Sequence, residues 1–286
     1  MNRRKVPCWQ RAGRWLILGA TAAGKTQKNG CAAGGICAGK IYYGIKTGLN
    51  EAFVIDAATR ERLIAEDGRS REVIKPFLAG RDVKRYVAPK TDKFLIFTRR
   101  GIDIAQYPAI LKYLEQFKDR LMPQPKEYTG KDWPGRKAGT YKWYEIQDAV
   151  DYYGEFERGK ILYQEIATYQ AFTYDTSGVY CNNKIFFIPG ASLGLLGLLN
   201  AKLVWFYLDK VASKLQGGAF AMQSPYVLSI PVVKEVVEDS KFEALAREVL
   251  RKKEIGEDTA ELEKEMDGMV FEAYGLGEGE IGVVEG

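Results

Sequence analysis

Pro231 divides two kinds of sequence, and the change restricts the chain to a mixed α+β architecture. Upstream of it, from Lys40, short apolar runs alternate with polar and glycine-containing turns. Residues 52–55, 93–98, 160–166 and 184–188 read as buried or half-buried strands. Pro108 sits at a first helical position, and Ile110, Leu114, Phe117 and Leu121 fall on one face before Pro123 stops the helix. Residues 122–142 read as a Pro/Gly/Lys-rich loop holding Tyr128, Trp133 and Tyr141. Ser192 is placed to cap a helix running through Leu208, whose Gly194, Gly197 and Ala201 allow close packing. Asn200 and Lys202 interrupt its apolar run, so it does not span a bilayer. Downstream, Ser240-x-x-Glu243 and Asp258-x-x-Glu261 read as capping boxes, in which each side chain satisfies an orphan backbone N–H at a helix start. Phe242, Leu245 and Val249 mark the inner face of the first helix, and Leu262, Met266 and Met269 that of the second. The expected organisation is an irregular segment 1–39, an α+β domain with a mixed sheet over 40–233, and an acidic helical tail over 234–286.

Charge is distributed unevenly along the same divisions. Residues 1–39 carry seven Lys/Arg and no acid, residues 40–233 carry 28 against 21, and residues 234–286 carry 7 against 16. Within residues 69–142 the ratio is 18 basic to 8 acidic, interleaved with aromatics, which suits a polyanion partner. Histidine is absent, which removes Ser-His-Asp and Cys-His catalysis and the usual imidazole metal ligands. The four cysteines fall at 8, 31, 37 and 181, and Cys31 and Cys37 are too far apart for a C-x-x-C zinc knuckle. Reduced thiols, and an apolar run at residues 15–18 too short for a secretory signal, point to a soluble cytoplasmic protein with no membrane partner.

One motif points elsewhere. Residues 19–26 fit the G-x-x-x-x-G-K-[ST] phosphate loop. Such a loop must run into a helix whose N-terminal N–H groups hold the phosphates. Here glycines follow at 30, 34, 35 and 39, each costing about 1 kcal/mol relative to Ala inside a helix. A P-loop nucleotide-binding protein is therefore the alternative rather than the main expectation. A non-catalytic interaction protein whose acidic tail docks a partner is the other alternative. Gly275-x-Gly277-x-Gly279 follows a helix rather than a strand, and Glu278 and Glu280 would repel a phosphate, so it reads as a turn.

The strongest signal is an ordered series of short strings. Residues 41–53 place Gly44 and Gly48 four apart around Lys46, Thr47 and Asn50, and residues 74–86 carry Arg81, Lys84 and Arg85. Tyr107-Pro108, Trp143-Tyr144-Glu145, a strand led by Lys160, the Leu-Leu-Asn-Ala-Lys of residues 198–202, Gly217-Gly218 and Ile230-Pro231 follow in turn. In order and spacing, residues 40–286 resemble the TaqI-like C-terminal specificity (target-recognition) domain of type IIG restriction–modification enzymes and adenine-specific DNA methyltransferases. The resemblance implies double-stranded DNA as partner, with this chain the recognition portion of an adenine-N6 methyltransferase. It implies no catalytic, cofactor or metal residues here. S-adenosylmethionine would bind a catalytic domain that residues 1–39 do not resemble, which suggests a truncated or split gene and leaves room for a separate methyltransferase or endonuclease polypeptide. The nearest approach to the base-gripping Asn/Asp/Ser-Pro-Pro-aromatic tetrapeptide, Ser224-Pro225-Tyr226, lacks one proline. Asp151, Glu155, Glu157 and Lys160 lack nuclease spacing and read as structural ion pairs.

For such a module the expected phosphate contacts are Lys46, Arg81, Lys84, Arg85, Arg99 and Arg100. Thr47, Asn50, Gln164 and Gln223 are expected at bases or backbone, with Gly48, Gly217 and Gly218 letting the main chain come close. Trp143 and Tyr169 are candidates to pack on sugar or an unstacked base, with core packing as the alternative, and Arg81 and Arg85 could instead pair with neighbouring acids such as Asp82.

Overall fold

The computed structural model describes residues 40–286, apart from the side chain of Arg81. The phosphate-loop match at residues 19–26 and the cysteines at 8, 31 and 37 lie outside the described residues. Ten strands form the framework: β1 (Tyr42–Tyr43), β2 (Val54–Asp56), β3 (Ile74–Leu78), β4 (Lys93–Ile96), β5 (Lys160–Gln164), β6 (Ile166–Ala167), β7 (Phe172–Asp175), β8 (Tyr180–Cys181), β9 (Ile185–Pro189) and β10 (Phe220–Ala221). One four-stranded sheet has the order β1-β9-β5-β7 and is antiparallel throughout. The other, β2-β4-β3-β8, is mixed, because β3 and β8 run parallel. Backbone bonds tie the two together where β8 turns into β9: Asn182 N–H donates to Leu78 at 3.0 Å, and Ile45 N–H donates to Cys181 at 2.7 Å. The α+β class with a mixed sheet and a helical C-terminal region is thus realised.

Side-chain alternation along the central strands builds two cores. Successive residues of a strand face opposite ways. Leu162 of β5 and Ile185 and Phe187 of β9 join Phe77, Leu95, Phe156 and Tyr180, with Leu63, Ile110 and Leu114 from the helices Ala57–Glu66 and Pro108–Glu115. Their neighbours Ile161, Tyr163 and Ile188 face the other way, onto the helix Leu193–Leu199, every residue of which is buried. That helix needs its glycines. A Cβ on Gly194 would lie 2.0 Å from the Val237 carbonyl oxygen, and one on Gly197 2.6 Å from Met266 Cε.

The boundary expected at residue 233 does not divide this second core. Phe242, Ala246 and Val249 of the helix Ser240–Glu254, and Met266, Val270, Phe271 and Tyr274 of the helix Ala260–Tyr274, belong to the same cluster as Ile161 and Phe172. The C-terminal helices are one wall of the core; most of their acidic residues lie outward, while Asp267 is buried and accepts the Lys202 N–H at 2.9 Å, and Glu263 pairs with Arg85. Neither expected capping box forms, and each helix starts one residue from where it was expected. Asp239, a stronger acceptor than the Ser240 hydroxyl, takes the Phe242 N–H at 2.8 Å, and the second helix begins after Thr259.

Two further expectations are corrected. Residues 52–55 are not one strand: Ala52 and Phe53 close the helical turn Asn50–Phe53, and β2 starts at Val54. The helix capped by Ser192 does not run to Leu208. It stops at Leu199, and a second helix begins at Lys202. The break has a specific cause. Buried Asn200 faces β7 and pairs with the Phe172 main chain as a strand would, accepting its N–H at 3.2 Å and donating to its carbonyl at 2.9 Å. Among the described residues no helix is long and apolar enough to cross a membrane. Lys160 is an ion-pair residue as expected, but its partner is Asp175, and both side chains are buried.

Candidate nucleic-acid interface

All but two of the candidate residues, Arg85 and Arg99, fall on two linked groups of loops. The first is organised by a residue that carried no signal in the sequence, Arg136. It is 4% exposed, and its guanidinium donates only to main-chain carbonyls: Leu121 at 2.8 Å, Thr47 at 3.1 Å, Glu145 at 2.8 Å, Lys142 at 3.2 Å and Trp143 at 2.9 Å. Burial pushes its pKa down to about 10. Around it stand Lys46, Thr47 and Gly48 on the loop that leads into the helical turn begun by Asn50, Arg100 in the turn that follows β4, and Trp143 on the segment 142–147. Gly48 has φ +86, and a Cβ there would meet Arg136 Cδ at 2.8 Å, so the loop closes down on the arginine only because the residue is glycine.

Within this group the side chains differ in what they can offer. Lys46 is exposed, while its N–H donates to Asp148 at 3.0 Å. Burial raises the Asp148 carboxyl pKa, an effect opposed by that N–H. Thr47 is buried, and its hydroxyl donates to Asn50 Oδ1 at 2.7 Å, so the threonine orients the exposed Asn50 instead of facing outward. Arg100 is partly committed: it donates to Thr140 Oγ1 at 3.1 Å and to the Gln147 carbonyl at 2.8 Å. Arg99 points into a separate cleft, its guanidinium 5.0 Å from the Tyr153 ring and facing the carboxylates Glu72, Asp103 and Glu157. Trp143 is half-buried, edge-on to Tyr144, with Lys118 Nζ 5.4 Å from its ring.

The second group lies across the ends of β5, β6 and β10. The turn Gly80–Asp82 carries Arg81, and exposed Lys84 follows it. Gln164 Nε2 donates to the Val83 carbonyl at 3.0 Å, so this glutamine ties the turn to β5. Tyr169 is 51% exposed just beyond β6. Residues 213–221 form a hairpin: Ala221 N–H donates to Ser213 at 2.9 Å, Leu215 N–H to Ala219 at 2.7 Å, and β10 pairs onward with β6. Gly217 and Gly218 at its tip have φ +79 and +76, with nothing within 4 Å of either Cβ position. Lys214, Leu215 and Gln216 beside them are exposed and were missed; a glycine pair alone gave no cue that a hairpin would carry them outward. Phe220, tilted on Trp205 at 4.9 Å, anchors the base. Gln223 is exposed where the helix Ser224–Leu228 begins.

A run of backbone bonds connects the groups. Asn183 N–H donates to Ile45 beside Lys46, Glu165 N–H to Lys184, and Met222 N–H to Glu165 beside Gln223, at 3.2, 2.8 and 2.7 Å. Arg85 is excluded from this surface. Its Nη1 lies 2.5 Å from Glu263 and its Nη2 donates to the Asn200 carbonyl at 2.7 Å, so it is an internal tie to the C-terminal helices rather than an open phosphate ligand.

Comparison with known proteins places this geometry in context. A family model described as the TaqI-like C-terminal specificity domain matches residues 75–232, more than half of the chain. No curated protein matches. Among solved structures, the type IIL restriction–modification enzyme MmeI, determined in complex with DNA, aligns with a TM-score of 0.55 at 17% identity, over 85% of this chain and 34% of that one. The type IIG restriction endonuclease BpuSI aligns with a TM-score of 0.46 at 12% identity, over 94% of this chain and 33% of that one. The chain spans about a third of the length of these enzymes. At 17% identity the MmeI match speaks to the fold alone.

Proposed function

This chain belongs to the TaqI-like C-terminal specificity domain family, and on that premise we propose that it is the sequence-specific DNA-recognition portion of an adenine-N6 DNA methyltransferase or type IIG restriction–modification enzyme. The observation that carries the reading is a coincidence of position. The family match over residues 75–232 contains the turn at Gly80–Asp82, Arg136 with the segment 142–147, and the projecting hairpin, and backbone bonds link these to the Lys46–Asn50 segment just upstream of the match. Exposed lysines on this edge, Lys46 and Lys84 among them, supply affinity and register through phosphates. Asn50, Gln223 and the hairpin tip reach toward base edges, where side-chain amides discriminate by paired donors and acceptors. Double-stranded DNA is the partner. The methyl transfer and its S-adenosylmethionine belong to a catalytic domain, on this or a separate polypeptide.

Salt titration tests the electrostatic half of the proposal. Each phosphate neutralised contributes about −0.9 to the slope of log K against log salt, so about six contacts give a slope near −5. Lys46→Ala and Lys84→Ala should each lessen that slope by about one. Arg85→Ala should leave it unchanged, because that guanidinium already faces Glu263. Asn50→Ala should flatten sequence preference and leave the slope alone. Affinity that does not change between about 50 and 200 mM salt, where about a thousandfold loss is expected, would reduce the basic excess to a solvated surface.

A further inference from the structure

We infer that Arg136 is the positioning residue of the recognition loops, setting the mutual placement of the segments that carry Lys46 to Asn50 and Trp143, with the Arg100 segment joined to them through Glu145. The inference rests on the DNA-recognition reading above and adds a residue that does not itself face the nucleic acid.

The geometry separates Arg136 from an ordinary surface cation. A guanidinium has five N–H donors in a planar fork. Here the donors reach five carbonyls on three separate stretches of chain: Thr47; Leu121, the last residue of the helix Lys118–Leu121; and Lys142, Trp143 and Glu145. None of those stretches is held to the others by a sheet at this point. The rings of Tyr141 and Phe53 lie 4.3 and 5.6 Å from the guanidinium carbon and fix its plane.

Glu145 completes the node from the opposite sign. Buried like the arginine, its carboxylate accepts the Gly101 N–H at 2.9 Å and the Lys142 N–H at 2.8 Å. Ile146 N–H donates to Thr98 at 2.9 Å and Gln147 N–H to Thr47 at 3.1 Å. The arginine therefore collects carbonyls, the glutamate collects amides, and the loop from Lys46, the end of β4 and the segment 142–147 are locked to one another. A rotation of any one moves the groups that would meet DNA. Such a node predicts a distinctive failure: contacts survive singly, but their joint geometry is lost, and with it discrimination among sequences.

Lysine cannot replace the fork, since it offers three donors from one atom. The test uses the full chain and a pool of DNA duplexes with a randomised central segment, enriched by binding to the parent protein. Arg136→Lys is then compared with the parent on the enriched duplex and on a scrambled one. The expected result is a variant that still melts cooperatively and binds the scrambled duplex within about threefold of the parent, yet loses at least tenfold of its preference for the enriched sequence. A folded Arg136→Lys that keeps the parent's preference overturns the inference, because a purely structural role lowers melting temperature without touching selectivity. Gly48→Ala provides a second variant if Arg136→Lys does not fold. It drives a methyl against Arg136 Cδ at 2.8 Å and Gln147 Oε1 at 2.9 Å, from a left-handed backbone, without removing a donor of the guanidinium. Its preference is read against the same tenfold limit: a loss beyond it supports the inference, and a folded variant with the parent's preference overturns it. A parent that enriches no sequence overturns the recognition reading itself, and this inference with it, and is told apart by the behaviour of the parent alone.

Discussion

Truncation after Val233 should abolish cooperative folding instead of trimming an acidic appendage. Phe242, Ala246, Val249, Met266, Val270, Phe271 and Tyr274 are buried in the cluster that includes Ile161, Phe172, Leu195 and Leu196. Tyr274 also donates to the Pro231 carbonyl, and Arg85 would lose Glu263. A single large-to-small core substitution costs about 2–5 kcal/mol, so removing several large side chains together exceeds the about 5–15 kcal/mol by which a domain of this kind is stable. Thermal melts of residues 40–286 and 40–233, followed by circular dichroism, check this. The shorter chain should show no cooperative transition. A transition within a few degrees of the longer chain would mean that the helices are separable after all.

The next largest effect should come from the Lys160–Asp175 pair. Lys160 Nζ also donates to the Phe156 carbonyl at 2.7 Å, and Asp175 accepts from Ser177 Oγ at 2.6 Å and Val179 N–H at 3.1 Å. The ammonium thus has two acceptors and both carboxylate oxygens are hydrogen-bonded, inside a site closed to water. Removing one partner strands the other charge, at a cost of about 3–5 kcal/mol, whereas replacing both with apolar groups of similar volume is often neutral or stabilising. Lys160→Met and Asp175→Leu should therefore each destabilise strongly in urea unfolding, and the double variant should recover most of the loss. Additive single effects would contradict this, because they would mean that the two charges do not hold one another. DNA binding by the folded singles should remain, since the pair lies away from the proposed surface.

How much of this was legible in the sequence depended on the range of the interaction. Local signals carried well: the strand at residues 93–98 became β4, Pro108 opened its helix, and Ser192 capped its helix by accepting the Leu195 N–H at 3.1 Å. Long-range ones did not. Asn200 reads as one polar residue in an apolar helix until its amide meets the Phe172 main chain. The two-residue strand β8 has no length over which alternation could show, and only its parallel pairing with β3 defines it. The apolar faces of the last helices are legible as stripes every three to four residues, but that they pack on the same core as Ile161 and Phe172 is a long-range fact that the stripes do not carry. Arg136 was invisible for a different reason. Its ligands are carbonyls, which every residue possesses, so no pattern of side chains announces them.

The recognition surface was legible as a list of residue types but not as an arrangement. Arg85 looks like Lys84 in the sequence and differs only in facing Glu263. Thr47 and Asn50 form one unit through a 2.7 Å bond, with the threonine inside and the asparagine out. Gly48 is expected from the sequence to let the main chain come close to DNA; in the structure its missing Cβ makes room for Arg136 and Gln147.

The most direct measurement is the ratio of affinities of the full chain for its enriched duplex and for a scrambled duplex, both taken at the same physiological salt. A sequence-specific recognition domain binds its site about 10³–10⁷ times more tightly than other DNA under such conditions. A ratio of at least about a thousand, falling by about 5- to 150-fold in Asn50→Ala, is the result expected here. A ratio near one, with both duplexes released together as salt rises, would contradict sequence-specific recognition and leave only a general affinity for polyanions.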